Sequence, residues 1–142
     1  MFSMRRRFVF VKPKDRRRVY RVECSKPFAV EETTFLNKFL DSCRPREYPP
    51  RSKARFYWSW ILDALYWAEM CVRDGGTARI HLVELDLDNG KCIACDFDRI
   101  DDVIATGSKE ACRAYWQSCK PYTGGIIENH EILCWNTREV SR

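Results

Sequence analysis

The chain has 142 residues, enough for one domain with its own core, since a domain near 150 residues buries roughly 70% of its unfolded surface. Hydrophobic residues make up 45%, with five Trp, six Tyr and eight Phe, which excludes a disordered chain. The longest charge-free apolar stretch, residues 56–62, is too short for a membrane-spanning helix, and the opening Met1-Phe-Ser-Met-Arg-Arg-Arg carries no apolar run that reads as a secretory leader. A cytoplasmic protein with no membrane partner is expected, in its own cell or in a target cell.

Charge is uneven. Residues 1–21 hold nine Lys or Arg against Asp15, a net of +8, and the remainder sums to −3. A basic segment over 1–18 therefore precedes a slightly acidic domain over 19–142. Arg5, Arg6, Arg7, Arg16, Arg17 and Arg18 are candidate phosphate contacts on a polyanion.

Phe8-Val9-Phe10-Val11 and Val19-Tyr20-Arg21-Val22-Glu23 read as short strands. From Glu31, Phe35, Leu36, Phe39, Leu40 and Cys43 recur on one helical face. Residues 44–53 hold three prolines and four basic residues, a long surface loop. An aromatic strand, Arg55-Phe-Tyr-Trp-Ser59, runs into a helix whose expected buried stripe is Ile61, Ala64, Leu65, Ala68, Cys71 and Val72, stopped by Gly75-Gly76. Residues 78–87 read as a central strand, hairpinned through Asp88-Asn89-Gly90-Lys91, a type I′ signal, to a strand over 92–97. Ser108 caps a helix presenting Cys112, Tyr115, Trp116 and Cys119, and residues 126–135 form the last strand. Helices and strands do not alternate strictly, which favours an α+β domain over a doubly wound one.

The eight cysteines lack a leader beside them and are expected as reduced thiols. Cys92-Ile-Ala-Cys95 has the spacing of half a zinc knuckle, but Cys112 and Cys119 make a poor second pair, and the two strand cysteines face opposite sides of a sheet. No metal is assigned. Neither His81 nor His130 stands in a motif that names a base, and Gly75-Gly76 follows a helix rather than opening a phosphate-binding one.

Three features taken together carry more. Arg21 lies in the first full strand, Tyr57 at the head of a strand-to-helix aromatic segment, and Glu131 in the last strand. Singly, each reads as a solvated, core or edge residue. In this order they resemble the ADP-ribosyltransferase superfamily, whose His-Tyr-Glu and Arg-Ser-Glu classes place three residues on three strands. The local likeness is to the rifamycin-modifying type. Phe56-Tyr57-Trp58-Ser59 is followed by Leu62-Asp63-Ala64, Trp67 and Ala68-Glu69, then Ile80-His-Leu-Val-Glu84. The resemblance implies a single α+β domain with a split β-sheet core and flanking helices. It also implies NAD as substrate, a transferase of glycosyl-transfer chemistry, and an Arg-Tyr-Glu hybrid of the two classes. Tyr57 would stack on nicotinamide, Glu131 would hold the ribose 2′-OH, Arg21 would hold the dinucleotide, Glu128 would be an accessory carboxylate, and Ser59 and Trp67 would line the NAD site. Such enzymes, often toxins or effectors, modify a macromolecular acceptor, a protein side chain or a nucleic-acid base. The chemistry is coherent: cleavage of the nicotinamide–ribose bond passes through an oxocarbenium-like state that a fixed carboxylate stabilises, and an aromatic face favours the cationic ring. The competing class is a non-enzymatic module that binds nucleic acid or a host protein through the basic segment.

Overall fold

The computed structural model of the chain describes residues 17–25 and 30–140. The strand expected at 8–11, and Arg5, Arg6, Arg7 and Arg16, lie outside those residues. In chain order the elements are β1 (Arg18–Cys24), α1 (Val30–Asp41), a 3-10 turn (Arg51–Lys53), β2 (Arg55–Trp58), α2 (Ile61–Arg73) and β3 (Ala78–Leu85). They continue with β4 (Lys91–Asp96), α3 (Asp98–Thr106), α4 (Lys109–Ser118), β5 (Lys120–Pro121), β6 (His130–Trp135) and β7 (Glu139–Val140). The domain is α+β, with one antiparallel seven-stranded sheet in the order β5-β4-β6-β2-β1-β3-β7.

The sheet has a seam. Strand β1 pairs with β3 along its whole length, from Arg18 opposite Glu84 to Cys24 opposite Ala78. It meets β2 at one register position only, Tyr20 opposite Trp58. One half is thus β1, β3 and β7, and the other is β2, β6, β4 and β5. Four connections cross between the halves; the two short ones, residues 86–90 and residues 136–138, lie against each other. Thr137 Oγ1 donates to the Asn89 carbonyl at 3.0 Å, and the Asp86 N–H donates to the Arg138 carbonyl at 3.1 Å. Gly90 sits at φ +78°, and a Cβ there would collide with Thr137 and with the backbone of Trp135 and Asn136. Glycine is required on both counts.

This overturns the hairpin expected between residues 78–87 and 92–97. Strand β4 pairs with β5 and β6 instead, burying Ile93, Ala94 and Cys95. The Asn89-Gly90 signal is a crossover: Gly90 has positive φ and Asn89 does not, so the type I′ requirement is not met. Strand β3 is not central either. Only two-residue β7 lies beyond it, and Leu82 is 56% exposed.

The helices lie on one face. Directly opposed residues of antiparallel strands share a face, so Tyr20, Trp58, Glu131 and Cys95 form one row. On that side Leu40 of α1, Ile100 and Val103 of α3, and Cys112, Tyr115 and Trp116 of α4 bury Ile93, Cys95, Leu133 and Trp135. Helix α2 covers the same face of β1, where Cys71 meets Cys24. Its expected stripe is corrected: Ala64 and Cys71 are buried, whereas Leu65 and Val72 are about half exposed because the helix presents the Ala64–Cys71 line to a narrow half-sheet. The Ser108 cap is as expected, its Oγ accepting the Ala111 N–H at 3.1 Å. Helix α3 went unread because only Ile100 and Val103 are buried among its acidic residues. On the other face Val19, Tyr57, Leu85, Ala94, Tyr122, Ile132 and Cys134 form a second cluster, in which side chains of both halves meet.

Four cysteines form two disulfides, Cys92–Cys134 and Cys95–Cys119. This corrects the expectation of reduced thiols for those four. Strand alternation explains the pairs. Cys92 stands directly opposite Cys134 on β6, and Cys95, three residues on and facing the helices, meets Cys119 at the end of α4.

Candidate active site

Strands β6, β2 and β1 are consecutive in the sheet, so the three strands that carry Glu131, Tyr57 and Arg21 lie side by side. The side chains divide between the faces. Tyr57 opposes Ile132, and Trp58 opposes Glu131, which puts Tyr57 and Glu131 on opposite sides of the sheet. Arg21, one residue beyond the Tyr20–Trp58 pair, shares the Tyr57 face.

Glu131 is sealed under the helices, 3% exposed. Arg51, itself 6% exposed, donates through its guanidinium to both carboxylate oxygens and to the Tyr115 hydroxyl, and Tyr115 donates to Glu131 Oε1 at 2.9 Å. Arg51 Nε donates to Asn37 Oδ1 and the Arg51 N–H to Asp41 Oδ1, each at 2.8 Å. The guanidinium lies over the Phe56 ring, 4.9 Å from its centroid. Burial works against the charged form of Arg51, but the Glu131 carboxylate and the Tyr115 oxygen more than offset it and hold the charge in place. Burial, then Glu131, pushes the Tyr115 phenol well above its ordinary value. Every polar atom of Glu131 is thus engaged by protein. Arg51 was missed in the sequence because a proline-rich basic loop reads as surface, and nothing local separates it from Arg44 or Arg46.

The carboxylate that joins Arg21 and Tyr57 is Glu139 of β7. Arg21 Nε donates to Glu139 Oε2 at 2.9 Å, and the Tyr57 hydroxyl donates to the same oxygen at 2.9 Å. Arg55 Nη1 stands 4.0 Å away. This cluster is partly open: the Arg21 side chain is 35% exposed and the Glu139 side chain 22%, over a buried Tyr57. Burial, then the hydrogen bond to Glu139, raises the Tyr57 phenol above its ordinary value. Along the same face of β1 and β3, His81 Nε2 and Glu23 Oε1 are 3.0 Å apart, and the His81 hydrogen bond draws the Glu23 carboxyl below its ordinary range. Glu139 was missed because a two-residue strand leaves no periodicity to read. The available signal was Asn136-Thr137, a turn pair closing the last long apolar strand just before it.

The remaining expected NAD contacts are dispersed. Ser59 is buried, its Oγ accepting the Ile127 N–H at 2.8 Å and donating to the Ile127 carbonyl at 3.2 Å. With Asp63 Oδ2, which accepts the Asn129 N–H at 2.6 Å, it pins the turn before β6 to the head of α2. Burial raises the Asp63 carboxyl. Glu128 is exposed on that turn, and Asn129 holds φ 57° there. Trp67 packs with Trp58 and Phe97 on the helical face, ring centroids 6.2 and 6.0 Å away. Ser59 and Trp67 therefore do not join the Arg21–Tyr57 cluster. Among the described residues no group of three or more His, Cys, Asp or Glu side chains is placed to hold a metal ion, and no helix is long and apolar enough to cross a membrane.

No protein-family model matches the chain, no curated protein is significantly similar to it, and no solved structure matches it significantly.

Proposed function

We propose that the domain is an NAD-dependent mono-ADP-ribosyltransferase with an ADP-ribosyltransferase-like split sheet, acting on a protein side chain or a nucleic-acid base. One observation carries the reading: Arg21 and Tyr57, from the two strands that flank the seam, meet on a single partly open carboxylate, Glu139. Glu139 takes the role that the sequence suggested for Glu131, whose oxygens are occupied by Arg51 and Tyr115.

The chemistry of the cluster fits the reaction. The Arg21 guanidinium is a fork for a diphosphate. When it exchanges Glu139 for the NAD pyrophosphate, the carboxylate is released toward the ribose. There it opposes positive charge that grows at the anomeric carbon as nicotinamide departs, an interaction far stronger in the transition state than before it. Tyr57 is buried, so in place of the nicotinamide platform expected from the sequence its hydroxyl keeps the carboxylate oriented. Glu128, exposed on the pinned turn ahead of β6, would serve as the accessory carboxylate for the acceptor.

The reading is tested by incubating the chain with adenylate-labelled NAD and whole-cell lysate, then separating protein from nucleic acid. Label on either class supports it. Absence of label, together with absence of heat on titrating NAD into the protein, overturns it. The second reading is a non-enzymatic module that binds nucleic acid or a host protein. It is favoured by one feature, that Arg21 and Tyr57 are already hydrogen-bonded to Glu139 and need no ligand to complete the cluster.

A further inference from the structure

The four cysteines outside the disulfides also stand in two pairs, Cys24 with Cys71 and Cys43 with Cys112, so all eight are laid out as four neighbouring couples. The Cys43–Cys112 couple differs from Cys24–Cys71 in its surroundings. Cys43 is half-buried and lines a cavity of about 280 Å³ with Pro45, Glu47, Tyr48, Arg113, Trp116 and Gln117. Tyr48 and Trp116 stack there at 5.9 Å, and exposed Arg113 supplies a cation. Cys112 is fully buried, its sulfur donating to the Phe39 carbonyl at 3.4 Å and to the Leu40 carbonyl at 3.6 Å, the same oxygen that accepts the Cys43 N–H at 3.2 Å.

We propose that Cys43 and Cys112 form a dithiol redox site, with Cys43 as the entry thiol for a small-molecule disulfide of the glutathione type and Cys112 as the resolving thiol. The cavity is too small for a drug-sized ligand but admits one arm of such a disulfide. The Cys43 thiolate attacks one sulfur of the oxidant, forming a mixed disulfide and expelling one thiolate. Cys112 then gives up its proton, its sulfur attacks Cys43, and the second small thiol leaves. Two protein thiols and one small disulfide become one protein disulfide and two small thiols.

Burial and the neighbouring Cys43 push the Cys112 thiol to about 12, so the inner sulfur keeps its proton until the mixed disulfide is beside it and does not react first. The new bond would tie the end of α1 to α4. These two helices already grip Arg51, α1 through Asn37 and Asp41 and α4 through Tyr115. The site is thus a redox clamp on the buried ion pair.

The test exposes the full chain to glutathione disulfide, quenches with acid at intervals, and maps thiols by mass spectrometry without reduction. The expected sequence is a transient glutathione adduct on Cys43, then a peptide cross-linked through Cys43 and Cys112, with Cys24 and Cys71 still titrating as thiols. In Cys112→Ser the adduct on Cys43 should accumulate, and in Cys43→Ser no adduct should form on Cys112. If Cys112→Ser fails to fold, the transient adduct in the unaltered protein decides. An adduct on Cys43 that never resolves, a first adduct on Cys112, or closure of Cys24–Cys71 before Cys43–Cys112 would each overturn the proposal.

Discussion

The two faces of the sheet carry the same three residue types in two different settings. Under the helices, Glu131 is held by Arg51 and Tyr115. On the opposite face, Glu139 is held by Arg21 and Tyr57. The first set is sealed, with side chains of Arg51 and Glu131 that are 7% and 4% exposed. The second is open enough to leave 35% of Arg21 in solvent. Composition does not separate the two Arg-Tyr-Glu sets; access to solvent does.

The largest effect should come from breaking the sealed set at one member. Arg51→Met leaves Glu131 buried without its cation and should cost about 3–5 kcal/mol of stability, read as a shifted denaturant midpoint. Adding Glu131→Leu and Tyr115→Phe to that variant should restore most of the loss, because a packed apolar replacement of a buried ion pair is often neutral. A triple variant as unstable as the single one would show that the network does more than hold a charge.

Next comes the open set. Glu139→Gln should lower transfer from NAD on the order of 10²–10³-fold. Its effect on stability should stay within about 1 kcal/mol, as for other part-exposed pairs. A stability loss as large as that of Arg51→Met would erase the distinction between the faces.

How much of this was legible depended on the kind of information each residue needs. The β1 and β2 strands, the Ser108 cap and the α4 stripe followed from local pattern, and so did the opposite facing of Cys92 and Cys95; of the strand expected over 126–135 only 130–135 forms, 126–129 being loop and turn. Pairing between distant strands did not. Asn89-Gly90 looks the same in a hairpin and in a crossover, and only Thr137 pressed against Gly90 tells them apart. The site showed the same limit. Arg21 and Tyr57 stood out in strand segments, but which glutamate joins them depended on strand register, since Trp58, not Tyr57, lies opposite Glu131.

A smaller effect should appear at high pH. Tyr115 in the folded protein holds its proton well above the ordinary phenol value of 10, and Cys112 and Cys24 hold theirs to about 12 against an ordinary 9. Above those ordinary values the unfolded chain releases protons that the folded chain retains, so stability is full below about pH 9 and falls as pH rises beyond it. Unfolding followed at pH 8 to 11 should show that decline, and Tyr115→Phe should flatten the part above about pH 10. A flat profile in the unaltered protein would contradict the sealing of Tyr115.

The smallest effect on either site should come from the basic segment. Replacing Arg5, Arg6, Arg7, Arg16, Arg17 and Arg18 with Gln should leave NAD transfer unchanged. It should weaken nucleic-acid binding about equally across sequences and flatten its salt dependence, because fewer counterions are released. Loss of NAD transfer in that variant would move the segment into the site.

The most direct test of the division between the two carboxylates is the rate of label transfer from NAD by Glu139→Gln and Glu131→Gln side by side, with near-ultraviolet circular dichroism recording that each is folded. Transfer lost in Glu139→Gln and kept in folded Glu131→Gln is the expected result. Transfer kept in Glu139→Gln and lost in a folded Glu131→Gln would contradict it and return the reaction to the helical face.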